Sequence, residues 1–174
     1  NDTRYISKVV RNILSNIVRE DEEQEAISKN IITVTGAITS KLKEDWGIND
    51  VWNNLVKDRF IRLNEIRGSN EFGEWIDNKF RTTVPDEFSR GYSKKRLDHR
   101  HHAMDAIVIA CATRNHINYL NNESAREKKA DTRMDLRKLL CGEKRNNGKW
   151  ILEKPYSNFT QDVEHQLKNI VVSI

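Results

Sequence analysis

"KKRLDHRHHAMDAIVIACATRN" spans Lys94–Asn115. It opens on bases, passes through three histidines and two aspartates, and turns wholly apolar from Ala106 to Ala112. A helix that is apolar all round is buried on every side. The stretch therefore reads as a buried helix, capped by Ser93 or Asp98 and running to about Leu120, with polar chemistry at its N-terminal end. Residues three or four apart share a helical face. His102 precedes Asp105 by three, His101 precedes it by four, and Asp98 precedes His102 by four. One turn thus presents Asp98, His101 or His102, and Asp105 together. At ~100° per residue His102 lies about 60° from Asp105 and His101 about 40° from it on the other side. Spacing leaves both histidines open and leans slightly to His101.

These residue types narrow the chemistry. A carboxylate is a hard-oxygen ligand for Mg²⁺ or Mn²⁺, and imidazole suits a general base. Free N–H groups and the macrodipole at a helix N-terminus favour a phosphate. A His/Asp pair does not complete a metal site, and no further carboxylate stands nearby at a convincing spacing. A bare His-x-x-Asp is most often an exposed polar face or a cap.

The rest of the chain sets bounds. Its 174 residues suit one domain with a modest core. The net charge of +4 is a mild bias towards anionic partners. Acidic residues cluster at Glu20–Glu25, and bases at Lys94–Arg96, Arg126–Lys129 and Lys144–Lys149. Such runs are usually solvated surface. Cys111 and Cys141 fit neither a zinc spacing nor a disulfide framework, which favours a reducing compartment, and Cys111 reads as a small buried hydrophobe. No apolar run approaches a membrane span, and no signal peptide is visible. The opening without Met and the ending on "IVVSI" lead to the expectation of a piece from a longer protein.

Ile6, Val9, Val10, Ile13, Leu14 and Ile17 recur at helical spacing behind Asp2 or Thr3 as a cap. "NIITVTG" reads as an interior strand over Ile31–Val34, closed by Gly36. A second helix carries Ile38, Leu42 and Trp46 on one stripe and turns at Gly47. Asp50 is the expected cap of a third, with Val51, Leu55, Phe60 and Leu63 in the core. A loop-rich insertion is expected at about 67–93, with a short helix near Trp75. A charged helix is expected from Glu123 to Leu140, ended by Gly142. "GKWILEKP" reads as a short strand. Thr160 caps a last helix with Val163, Leu167 and Ile170, and "VVSI" reads as a closing strand. So few strands leave an open sheet incomplete. Either the chain is mostly helical, or the missing strands come from other parts of a parent protein.

Several of these segments carry a resemblance. "DHRHHAMDAIVIA" resembles the third conserved segment of the RuvC-like nuclease domain in type II CRISPR-associated, RNA-guided DNA endonucleases, with its His-His-Ala-x-Asp pattern before an apolar helix. "DTRYISKVVRNIL" is similar to the segment that re-enters this domain after the inserted HNH nuclease domain. "IITVTGAITSKLKEDWG" is similar to the strand and helix that follow, and "FTQDVEHQLKNIVVSI" to the part before the PAM-reading region. The match is weakest at about 67–93 and 124–154.

The resemblance implies an α/β fold of ribonuclease-H-like (RuvC) type, a mixed sheet flanked by helices and assembled from three separated segments. This one would be mostly helical, with two or three strands. It implies catalytic residues His102 and Asp105, with Asp105 a metal ligand and His101 and Asp98 behind them. An Asp and a Glu from the other two segments have no counterpart here. Two Mg²⁺ ions roughly 4 Å apart, replaceable by Mn²⁺, would polarise the phosphate. The substrate implied is the displaced, non-target DNA strand, with guide RNA reading sequence, in the bacterial cytoplasm. Partners implied are guide RNA, target DNA, the remaining RuvC segments and the HNH domain, with no membrane. Lys94, Lys95, Arg96 and Arg100 are candidates to hold the strand's phosphates. Alternatives are a helical metal-dependent phosphohydrolase, drawing on Asp131, Asp135 and His165, and a non-catalytic nucleic-acid-binding module. The chain alone is expected to be inactive.

Overall fold

The computed structural model describes residues 2–24, 27–89, 98–124, 130–144 and 148–171. Helices dominate, and the described strands form two separate two-stranded antiparallel sheets. The chain divides into two compact units, residues 1–38 and 39–174. No helix of the described residues is long and apolar enough to cross a membrane.

In the first unit, α1 (Asp2–Val18) forms where the apolar periodicity predicts it. Its stripe of Ile6, Val10, Ile13, Leu14 and Ile17 is exposed, and among its described side chains only Ser15 is buried. Asn30 Nδ2 donates to the Val18 carbonyl at 3.2 Å, satisfying one orphan acceptor at the helix end. Glu23 takes the Glu20 and Lys29 amides, which folds the acidic cluster into a local turn. Residues 31–35 are not a strand. β-branched composition makes a strand possible, but pairing makes it real, and among the described residues no strand pairs with this segment. The predicted "VVSI" strand lies at 171–174: Val171 is irregular and exposed, and the other three fall outside the described residues.

The second unit is organised around Trp46. Helix α2 (Gly36–Asp45) ends just before it, and Gly47, at φ 72°, turns the chain into α3 (Ile48–Arg67). That left-handed turn favours glycine, and it puts the start of α3 at Ile48, with Asp50 in the first turn rather than as its cap. Trp46 is fully buried, donates Nε1–H to the Glu153 carbonyl at 2.7 Å, and accepts Thr160 Oγ1–H on its own carbonyl at 2.8 Å. Its ring meets Phe159 and His116 edge-on at 5.4 and 5.7 Å. Val51 and Phe60 are buried as expected, whereas Leu55 and Leu63 are half-buried and Trp52 and Val56 fill the inner positions.

The expected loop at 67–93 is a hairpin over much of its length. β1 (Gly73–Ile76) and β2 (Lys79–Thr82) pair across Asp77 and Asn78, both at positive φ (48° and 60°). A two-residue turn with both φ positive matches the twist of the flanking strands. Trp75 lies on β1, not on a helix. Asn53 and Asn64 of α3 clip the hairpin down. Asn53 Nδ2 donates to the Phe80 carbonyl, and Asn64 bonds both the Phe72 amide and the Gly73 carbonyl. A short helix, α4 (Asp86–Ser89), follows.

Helix α5 (Arg100–Cys111) is shorter than expected, and α6 (Arg114–Ser124) starts afresh. Ala112 is extended at ψ 128°. Thr113 and His116 then form a reciprocal cap. The Thr113 amide donates to His116 Nδ1 at 3.1 Å, and the His116 amide to Thr113 Oγ1 at 3.4 Å. This cap ends the continuous helix predicted to Leu120. Of the helix expected over Glu123–Leu140, Glu123 and Ser124 lie in α6, residues 125–129 lie outside the described residues, and Ala130–Leu140 form α7; Gly142 lies in β3 (Cys141–Lys144) rather than ending a helix. β4 (Trp150–Leu152) is the predicted short strand. α8 (Phe159–Lys168) buries Val163 and Leu167 and leaves Ile170 outside.

Candidate active site on helix α5

Asp98 starts the site. Its side chain is fully buried, and its Oδ1 accepts the Arg100 amide at 3.0 Å, satisfying a free N–H at the start of α5. Arg100 then folds back over it. Nε lies 3.0 and 3.1 Å from the two carboxylate oxygens and Nη2 lies 2.6 Å from Oδ2. The guanidinium also reaches the Leu55 carbonyl of α3 at 3.3 Å and the Leu167 carbonyl of α8 at 3.5 Å. Burial alone would raise the Asp98 carboxyl, but the hydrogen bonds and charge of Arg100, with Arg59 in support, outweigh it and hold the group below the usual range. Arg100, expected from sequence to hold phosphate, is thus turned inward and fixes α5 to two other helices. Lys94, Lys95 and Arg96 lie outside the described residues.

The next turn separates the histidines. His101 Nδ1 lies 2.8 Å from the Asp98 carbonyl. Only a protonated nitrogen can bond a carbonyl, so Nδ1 carries the hydrogen. The ring also stands edge-on to buried Trp52 at 6.0 Å. His102 is exposed. Its ring lies 3.9 Å from that of His101 and 5.9 Å from that of His99, nearly parallel to the latter.

Burial along α5 follows two stripes. Met104 and Val108 are buried, and His101 shares their side at i, i+3 and i+7. His102, Asp105 and Ile109 have the same spacing on a second stripe, where Asp105 is half-buried and Ile109 is 44% exposed. The expectation of burial on every side is corrected: Ala106, Ile109 and Ala110 are exposed, and Cys111 is half-buried. Neighbouring helices cover one face of α5 and leave the other open.

Asp105 has a partner that sequence reasoning missed. Lys43 of α2 places Nζ 2.5 Å from Asp105 Oδ1. The lysine side chain is 8% exposed and the aspartate side chain 37%. The signal for Lys43 lies in its position: it stands at the edge of the inward side of α2, one turn after buried Thr39, where a buried charge needs a counter-charge.

The Lys43 ammonium is a stand-in cation on Asp105. The carboxylate is therefore placed to hold positive charge, and a divalent ion is compatible with it. Asp105 could supply one hard oxygen ligand, and among the described residues no three metal-ligating side chains cluster. Asp135 and His165 lie on α7 and α8, both exposed, and belong to no such cluster among the described residues; Asp131 lies on α7, its side chain outside the described residues.

No curated protein matches the chain in sequence. The RuvC endonuclease subdomain 3 family matches it over residues 1–174, so the chain belongs to that family and takes part in a RuvC-type nuclease.

Proposed function

We propose that the chain supplies the His/Asp part of a metal-assisted phosphodiesterase site in a type II CRISPR-associated, RNA-guided DNA endonuclease, and that this site cuts the displaced, non-target strand. The observation that carries the reading is the open stripe of α5, where exposed His102 and half-exposed Asp105 stand one turn apart above a buried, pinned face. Asp105 contributes a carboxylate oxygen to a Mg²⁺ site whose other ligands come from the remaining RuvC segments. Mn²⁺ is an acceptable substitute. Bound there, two ions would neutralise charge on the phosphate and favour displacement at phosphorus.

The chain's own residues do the rest. His102, with its ring open to solvent, takes the proton of the attacking water at a ring nitrogen. His101 packs beside it and limits its rotation, held in turn through Nδ1 by the Asp98 carbonyl. Asp98 and Arg100 fix where α5 begins. Lys94, Lys95 and Arg96, just before this turn in sequence, are suited to hold the incoming strand's phosphates. Guide RNA, target DNA and the HNH domain are partners of the whole protein, in the bacterial cytoplasm.

A strand-resolved cleavage assay on the full-length, guide-loaded protein tests this. Asp105→Ala should nearly abolish cutting of the non-target strand while sparing guide-directed binding and cutting of the other strand. Equal loss on both strands, or none, would overturn the reading.

A further inference from the structure

Lys43 is the least expected charge in the chain. It is 6% exposed, and its ammonium meets Asp105 Oδ1 from 62 residues away. The ammonium competes with any other cation for the charge of the same carboxylate. A divalent ion on this carboxylate would be repelled by Nζ, 2.5 Å from Oδ1, and the lysine side chain, 8% exposed, has little contact with bulk water to retreat to. A buried ammonium without a counter-charge is strongly disfavoured. A phosphodiester oxygen arriving at the open His102–Asp105 stripe is a replacement anion of the right charge, and an ammonium with three rotatable donors can take it.

We propose that Lys43 couples metal and nucleic acid at this site: its ammonium holds Asp105 until a backbone phosphate takes it over, so the ion and the phosphodiester bind with positive cooperativity. The proposal rests on Asp105 being a metal ligand. Lys43 is then a positioning residue for both the carboxylate and the phosphate. It neutralises the Asp105 charge before an ion binds, and it delays metal binding at Asp105 until a strand is present. By linkage, the metal tightens the hold on the strand by the same factor as the strand tightens the hold on the metal.

The test is Mn²⁺ titration of the full-length, guide-loaded protein, followed by electron paramagnetic resonance, with and without target DNA. A His102→Ala background keeps the DNA intact, and the ions counted are those that Asp105→Ala removes. With Lys43 present, DNA should tighten Mn²⁺ binding on the order of tenfold. Lys43→Met, close in size and neutral, should tighten binding without DNA and erase most of the DNA effect. Lys43→Arg, which keeps the charge, should preserve the coupling. Lys43→Gln should behave as Lys43→Met does, and replaces it if that variant melts early. Unchanged coupling in the neutral variants, or weaker Mn²⁺ binding without DNA, overturns the proposal and leaves Asp105 a ligand. If Asp105→Ala removes no ion at all, the metal-ligand reading fails first and the proposal falls with it.

Discussion

The Arg100 guanidinium closes on both oxygens of the Asp98 carboxylate, Nη2 at 2.6 Å from Oδ2 and Nε at 3.0 Å from Oδ1, with the carboxylate fully buried. Removing one member of such a pair leaves the other charged and unpartnered, which costs ~3–5 kcal/mol. Arg100→Ala should therefore lower unfolding stability by about 3 kcal/mol, measured by denaturant titration of the full-length protein. Arg100→Lys should recover little. An ammonium cannot span two carboxylate oxygens and still reach the Leu55 and Leu167 carbonyls. The salt dependence of DNA binding should be unchanged by Arg100→Gln, which removes the charge; a shallower salt slope would return Arg100 to the phosphate-binding role.

His116 sets a pH dependence of the α5–α6 junction. Burial pushes its imidazole below the ordinary value of 6.5. The Thr113 amide already donates to Nδ1, so protonation there would break the cap. The folded state favours neutral imidazole, so the unfolded chain binds the extra proton as pH falls. The stabilisation is complete above about 6.5 and is lost as pH falls through that value towards the lower folded one. Thermal melts of the full-length protein between pH 7.5 and 5 (roughly the imidazole range) should show declining stability. His116→Gln keeps a capping side chain that does not titrate, and it should flatten the decline. An equal slope in the variant would assign the dependence elsewhere.

The 174-residue chain by itself should associate in solution and cleave nothing. Tyr5, Ile6, Ile13 and Ile17 expose a continuous apolar stripe on α1. On α5, Ile109 lies exposed on the same stripe as Asp105. The described residues hold no complete set of metal ligands. Sedimentation velocity should show mass rising with concentration, and Mg²⁺ should give no cutting of single-stranded DNA. A monodisperse monomer with a cooperative melt, or robust cleavage, would count against this.

Local patterns are the part of this chain that its sequence makes readable. The stripe of Ile38, Leu42 and Trp46 repeats at helical spacing, and all three are buried. The His102–Asp105 spacing belongs to a single turn and survives intact. Features set by distant partners are not readable in this way. Ile31–Val34 has strand composition but no partner strand among the described residues. Arg100 has the residue type of a phosphate ligand, yet carbonyls 45 and 67 residues away turn it inward. The Asp77–Asn78 turn was within reach of local reading, since a short polar pair between apolar residues is a hairpin signal.

Burial distinguishes His101, half-buried, from His102, exposed, which helical angle alone does not. Angle favours His101 slightly, at about 40° from Asp105 against about 60° for His102. Yet His101 shares the side of Met104 and Val108, bonds the Asp98 carbonyl and stands edge-on to Trp52. Its Nδ1 is occupied, and its ring is held by the core. His102 lies outside that stripe, exposed, on the side of Asp105. A base must reach the water beside the phosphate, so its ring has to be open. His102→Ala should reduce non-target-strand cutting by roughly 10²–10⁴-fold, the usual span of general-base catalysis, with binding and cutting of the other strand intact. His101→Ala should act mainly through position: a smaller loss of rate, together with lower stability from the gap beside Trp52. His101→Gln should restore part of both, because its amide can still donate to the Asp98 carbonyl. The pH–rate profile separates the roles. Loss of the base should remove the limb that tracks imidazole ionisation, whereas loss of the support should lower the profile and keep its shape. If His101→Ala is the more damaging change in a folded protein, and it removes that limb, the base is His101.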